Sequence, residues 1–137
     1  LCNDLLEVNR LQNGYAPAVH AVSLLRLVEE TCQMLQPVAA QRGVSLEPAL
    51  PAPGLQAAGD ERLLRRMLTN LVSNGLRFAP PGGTVRVEAR AADAPGAVLL
   101  LVGDNGPGVP PAERERMFIP FAQGRGEAGR GVGLGLA

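Results

Sequence analysis

Three clusters of residues have the types and spacings needed to hold a phosphorylated ligand, and none is decisive alone. The first is Asn70-Leu71-Val72-Ser73-Asn74-Gly75-Leu76-Arg77-Phe78. Asparagine disfavours helix interiors because its amide competes for backbone hydrogen bonds. Here two stand four residues apart, which puts them on one helix face, and Arg77 adds a cation to that side. Amide oxygens are hard ligands of the kind Mg²⁺ accepts, and a guanidinium pairs well with phosphate oxygens. The plain alternative is a solvated polar face, with Leu63, Leu64, Met67, Leu68 and Leu71 supplying the buried one.

The second cluster, Asp104-Asn105-Gly106-Pro107-Gly108-Val109-Pro110, follows the apolar run Ala97–Val102. These residues suit a tight turn. They also suit a base pocket in which Asp104 is a buried acceptor for the exocyclic amine of adenine, and Gly106 and Gly108 let the backbone approach a flat ligand. Guanine would present a carbonyl there and leave acceptors unpaired, a discrimination of roughly several kcal/mol. The third cluster is Gly131-Val132-Gly133-Leu134-Gly135-Leu136-Ala137, preceded by Gly124, Gly126 and Gly129. Alternating glycines before a helix start can offer backbone N–H groups to phosphate. A flexible tail would have the same composition. All 13 basic side chains are arginine, so lysine-dependent phosphate loops and Schiff-base chemistry are excluded.

The elements that must position these clusters can be read from periodicity. Residues 1–13 read as a helix end with Gly14 as its cap. Residues 17–22 suit a strand, and Ser23 caps a helix over 24–42 that contains Pro37 and closes at Gly43. Val44–Glu47 suits a second strand, and a short strand fits near 55–58 in a Pro/Gly loop. Asp60 caps a helix to Phe78, stopped by Pro80-Pro81. Thr84–Arg90 alternates as a half-buried strand. The run Ala97–Val102 predicts a central strand covered on both faces, antiparallel to the one before it, and a short helix follows over 112–118. Helices alternating with strands, one hairpin among them, imply a mixed-sheet α/β sandwich.

Composition narrows the function classes. The chain has 137 residues, enough for one domain, and its formal net charge of zero argues against a nucleic-acid or membrane-surface partner. Cys2 and Cys32 have no ligand-like spacing and read as free thiols in a reducing compartment. No run is long and apolar enough for a membrane span, and no signal peptide precedes the first strand, which predicts a cytoplasmic domain. The start at Leu1 is expected of a piece of something longer.

Together, and in this order, the clusters resemble the catalytic and ATP-binding domain of bacterial sensor histidine kinases, within the wider group that includes gyrase, mismatch-repair ATPases and a heat-shock chaperone. Asn70–Phe78 is similar to the asparagine box and Asp104–Gly108 to the first glycine box. Phe118-Ile119-Pro120-Phe121 is similar to the phenylalanine box, and Gly131–Ala137 to the second glycine box. Residues 1–14 resemble the end of a dimerisation and phosphoacceptor helix, which leaves 15–137 as the catalytic domain. The resemblance implies an α+β Bergerat ATP-binding fold, with a mixed, mostly antiparallel sheet covered on one face by helices.

It also implies ATP and Mg²⁺ as cofactors. Asn74 would hold Mg²⁺ between the phosphates, with Asn70 beside it and Arg77 on phosphate, Asn70 and Arg77 being the catalytic pair. Asp104 would take the adenine amine, with Phe78, Gly106, Gly108, Val109 and Phe121 around the nucleotide. Gly131, Gly133, Leu134 and Gly135 would meet phosphate, and residues of about 119–132 would form a lid over ATP. The implied partners are the chain's own upstream dimerisation domain, a second copy joined through it, and a response regulator.

One position separates subfamilies on physical grounds. Related ATPases carry Glu where this chain has Asn70, and a neutral amide cannot deprotonate water. Asn70 therefore points to transfer onto a phosphoacceptor. An anti-sigma-type serine kinase of the same fold, or a nucleotide sensor without turnover, are the alternatives. Gly75 stands where Ala is usual, at a cost of about 0.5–1 kcal/mol in helix propensity and with no expected effect on the chemistry. Gln123 stands where Arg is frequent. The chain ends within the expected last helix, which predicts weak ATP binding for residues 1–137 alone. His20 lacks the acidic neighbour of a phosphoacceptor motif and reads as a strand or surface histidine.

Overall fold

The computed structural model describes residues 16–114. Residues 18–108 form one compact unit. Its elements run β1 (His20–Ser23), α1 (Leu24–Arg42), β2 (Ser45–Ala49), β3 (Gln56–Gly59), α2 (Glu61–Phe78), β4 (Thr84–Ala91) and β5 (Val98–Asp104). Residues 16–17 and 109–114 belong to a second unit, whose described part holds α3 (Pro111–Arg114). The remainder of the helix expected over 112–118, and the helix end expected over 1–13, lie outside the described residues.

The caps fall where the sequence places them. The Ser23 hydroxyl accepts from the Arg26 N–H, and Gly43 closes α1 at φ 64°, a left-handed conformation that a side chain disfavours. Pro37 is tolerated inside α1 because it and Gln33, whose carbonyl loses its donor, are both on the exposed side. Ala79 turns extended ahead of Pro80 and ends α2.

Two sheets result. β1 pairs with β3 antiparallel, from His20 opposite Gly59 to Ser23 opposite Gln56. In the other, β4 lies between β2, its parallel neighbour, and β5, its antiparallel one. Val85, Val87 and Ala89 of β4 point into the core against Leu68, Val72 and Leu76 of α2 and Leu24, Leu27, Val28, Cys32, Leu35 and Ala39 of α1. The helices thus cover one face of the three-stranded sheet. Burial also pushes the Cys32 thiol pKa up, which keeps the thiol protonated and inert.

β5 departs from expectation. Among the described residues it is an edge strand, and only Val98, Leu100 and Val102 pack on the core. Leu99 and Leu101 stay 38% and 39% exposed on the opposite face. The continuous apolar run indicated cover on both faces, but an apolar side chain on a strand face does not say whether anything lies over it. His20, as expected, is an exposed strand residue, with Nδ1 2.9 Å from the Ala18 carbonyl oxygen.

Asp60 joins the start of this unit to α2. Its carboxylate accepts from the N–H groups of Arg62 at 3.0 Å, Leu63 at 3.4 Å and Ala18 at 3.1 Å. Burial alone would raise its pKa, but these donors and the Arg62 charge outweigh burial and hold it below the ordinary aspartate range. Nearby, Arg65 bridges Glu30 of α1 at 2.7 Å and Glu61 of α2 at 2.8 Å. That half-exposed network fixes how the helices sit together more than it stabilises them.

A carboxyl with a depressed folded-state pKa contributes stability that is present above its unfolded value and lost as pH falls through the folded value. Asp60→Asn keeps a capping side chain and has no proton to gain. Its stability deficit relative to wild type should therefore shrink as denaturant midpoints are followed down from about pH 5 to pH 2. A deficit constant over that range would contradict the account.

Candidate functional site

The buried face of α2 dictates where its polar residues fall. Leu68, Val72, Gly75 and Leu76 face the sheet, which sets Asn70 and Asn74 half-buried on the flank and Arg77 and Phe78 exposed at the helix end. Among the described residues neither asparagine amide has a hydrogen-bonding partner, and Arg77 makes no ion pair. The Arg77 guanidinium lies 4.6 Å from the centroid of the Phe78 ring, a cation–π contact at an exposed site. Two unengaged amides and a cation free of carboxylates fit the donors that a Mg²⁺-phosphate group requires.

Gly75 brings the helix onto the strand ends. It is buried, and a Cβ there would lie 3.1 and 3.2 Å from the Val85 methyls and 3.7 Å from Asp104 Cβ. The glycine that the sequence marks only as a helix-propensity cost is therefore what lets α2 sit close to the end of β5.

The loop after β5 is fastened on two sides. Asp104 Oδ1 accepts from the Gly106 N–H at 2.8 Å, which leaves Oδ2 without a partner among the described residues. Asn105 Oδ1 accepts from the Thr84 N–H at 2.9 Å. Gly106 has room for no side chain, since a Cβ would stand 2.8 Å from the Phe78 carbonyl oxygen and 2.7 Å from Asp104 Oδ1. Gly108 needs its freedom for another reason, a φ of 74°.

One expectation changes here. Asp104 is exposed and not buried, because among the described residues it ends an edge strand and none lies over it. Gly106 also meets a packing demand at the end of α2 that the sequence does not show. Of the other predicted residues, Val109 opens the second unit, in which its carbonyl accepts from Arg114 Nε at 3.2 Å. Phe121, Gly131, Gly133, Leu134, Gly135 and the lid expected over 119–132 lie outside the described residues.

Residues 59–137 match the family of histidine kinase-, DNA gyrase B- and HSP90-like ATPases. The chain belongs to this family. Its mixed sheet under α1 and α2 is the Bergerat ATP-binding fold that the motifs imply.

The chain is 36% identical over 150 residues to the histidine protein kinase DivJ of Caulobacter vibrioides, an alignment covering 100% of this chain and 23% of that kinase. It is similar to the crystal structure of full-length ShkA in complex with AMPPNP, with a TM-score of 0.83 and 32% identity over 98% of this chain and 28% of that one. The fold also matches histidine kinase ThkA in complex with response regulator protein TrrA, with a TM-score of 0.74 and 17% identity, over 88% of this chain and 36% of that one. The chain therefore spans about a quarter to a third of the length of these proteins.

Gly75 makes a sharp test of this packing. In an open helix Gly→Ala gains about 0.8–1 kcal/mol. Here the new methyl would press on the fully buried Val85, and overpacking costs about 1–3 kcal/mol. Gly75→Ala should thus give no gain in denaturant midpoint, and Gly75→Ala with Val85→Ala should cost less than the sum of the two singles. A full helix-propensity gain with strict additivity would show that the close approach of α2 is not limiting.

Proposed function

We propose that this chain is the ATP-binding kinase domain of a sensor histidine kinase, which carries the γ-phosphoryl of Mg-ATP to a histidine on a dimerisation domain. The observation that carries the reading is the pair of amides, Asn70 and Asn74, that have no partner among the described residues, on the helix whose Gly75 packs beside Asp104. In this reading Asn74 holds Mg²⁺ through its amide oxygen, Asn70 stands beside it, and Arg77 takes a phosphate oxygen. The open Oδ2 of Asp104 accepts the adenine amine, with the Phe78 ring, Gly106, Gly108 and Val109 around the base. Phe121, Gly131, Gly133, Leu134 and Gly135 complete the nucleotide contacts in this reading.

When bound, Mg²⁺ supplies charge neutralisation across the transferring phosphates. The protein's own share is orientation and exclusion of water. Asn70 is the residue that decides the outcome. A carboxylate at that place could take a proton from water; an amide has no such capacity. An incoming imidazole brings a lone pair on nitrogen and needs no base to form the P–N bond while the bond from phosphorus to the β–γ bridging oxygen breaks. ADP leaves with that electron pair.

Residues 1–14 continue the dimerisation helix in this reading, so the working unit is a homodimer, and a response regulator is the onward acceptor, as TrrA is the partner of ThkA. No helix among the described residues is long and apolar enough to cross a membrane. The proposed location of the domain is cytoplasmic, on a sensor protein that is itself anchored elsewhere.

Titration calorimetry on the protein of full natural length tests the reading. Asp104→Ala should weaken ATP about 10- to 100-fold, the effect of losing a hydrogen bond to a charged acceptor. Asn74→Ala should bind ATP weakly and with little response to chelation of Mg²⁺, whereas wild type should weaken on chelation. Unchanged ATP affinity in both variants would remove the nucleotide reading.

A further inference from the structure

We propose that Asn105 is a positioning residue for Asp104, whose amide ties the loop over 104–108 to the turn after α2 and so fixes where the open carboxylate oxygen points. This rests on the reading that Asp104 receives the adenine amine. Backbone pairing between β4 and β5 ends with Val85 opposite Asp104. Beyond it the Asn105 side chain takes over, with Oδ1 accepting the Thr84 N–H at 2.9 Å. The slot it fills is built for it. A Cβ on buried Gly83 would lie 2.5 Å from Asn105 Oδ1 and 2.7 Å from the Pro80 carbonyl oxygen, so only glycine leaves room.

The turn that Asn105 grips is itself rigidly held. The Gly83 N–H donates to the Pro80 carbonyl at 2.8 Å, the Gly82 N–H donates to the Gly43 carbonyl at 2.7 Å, and the Gly83 carbonyl accepts from the Ser45 N–H at 2.8 Å. The end of α1, the start of β2 and the end of α2 therefore converge on it. On the other flank Gly106 sits against the Phe78 carbonyl and donates to Asp104 Oδ1. Asp104 lies between these two fixings, with one oxygen engaged and one open. Removing the Asn105 acceptor leaves the loop beyond Asp104 fastened on the Gly106 side only, and the strand-end carboxylate less constrained in direction.

A positioning role predicts a change in base discrimination and not only in stability. The test uses the protein of full natural length and two nucleotides, ATP and purine riboside triphosphate, which lacks the exocyclic amine. Wild type should prefer ATP. Asn105→Ala should lose about fivefold of that preference, the effect of one neutral hydrogen bond, while its affinity for the purine analogue stays within about twofold. Asn105→Asp keeps an acceptor and should retain the preference, since its added charge acts on both nucleotides alike. Thr84→Pro removes the donor from the other side at the first residue of a strand, where proline is tolerated, and should match Asn105→Ala. An undiminished preference in either Asn105→Ala or Thr84→Pro overturns the proposal alone. A wild type that binds both nucleotides equally overturns the reading of Asp104, and this proposal with it.

Discussion

The close packing of α2 on β4 and β5 is what the rest of the structure depends on, and Gly75 stands at its tightest point. The Val85 methyls lie 3.1 and 3.2 Å from where a Cβ would stand, so a side chain there would need Val85 to give by a few tenths of an ångström. Leu68, Val72 and Leu76 hold one face of α2 in the core, which leaves Asn70 and Asn74 half-buried away from it. The proposed site requires both this orientation of α2 and the end of β5 beside Gly75.

A second constraint is the turn between α2 and β4. Close backbone packing does there what side chains do elsewhere: Gly83, and Gly106 in the loop after β5, each sit where a carbonyl or side-chain oxygen leaves no room for a Cβ. The glycines around this turn thus meet two demands. Some allow elements to touch, and others, Gly82 and Gly108, allow a left-handed backbone.

Much of this was legible in the sequence, and the reasons differ by element. The helices were clear because Ser23, Asp60, Gly43 and Pro80 are local signals whose chemistry acts within one turn. The hairpin of β4 and β5 followed from the alternation of Thr84–Arg90 and from the apolar run Ala97–Val102 close behind it. The exposure of Asp104 and of one face of β5 was not legible, because cover over a strand depends on distant chain. Gly75 was read only for its helix propensity, which is local, whereas the Val85 contact is not. Asn105 was read as turn chemistry. Its hydrogen bond to Thr84 spans 21 residues, and no short-range pattern encodes it.

In the proposed reading residue 70 links the geometry to the chemistry most tightly, because an amide there cannot activate water. Incubating the protein of full natural length with ATP labelled at the γ-phosphate tests this directly. The account predicts label on the protein that is stable to base and released by acid, as a phosphorus–nitrogen bond requires, and its loss in Asn74→Ala. Rapid release of inorganic phosphate with no label retained on the protein would contradict it.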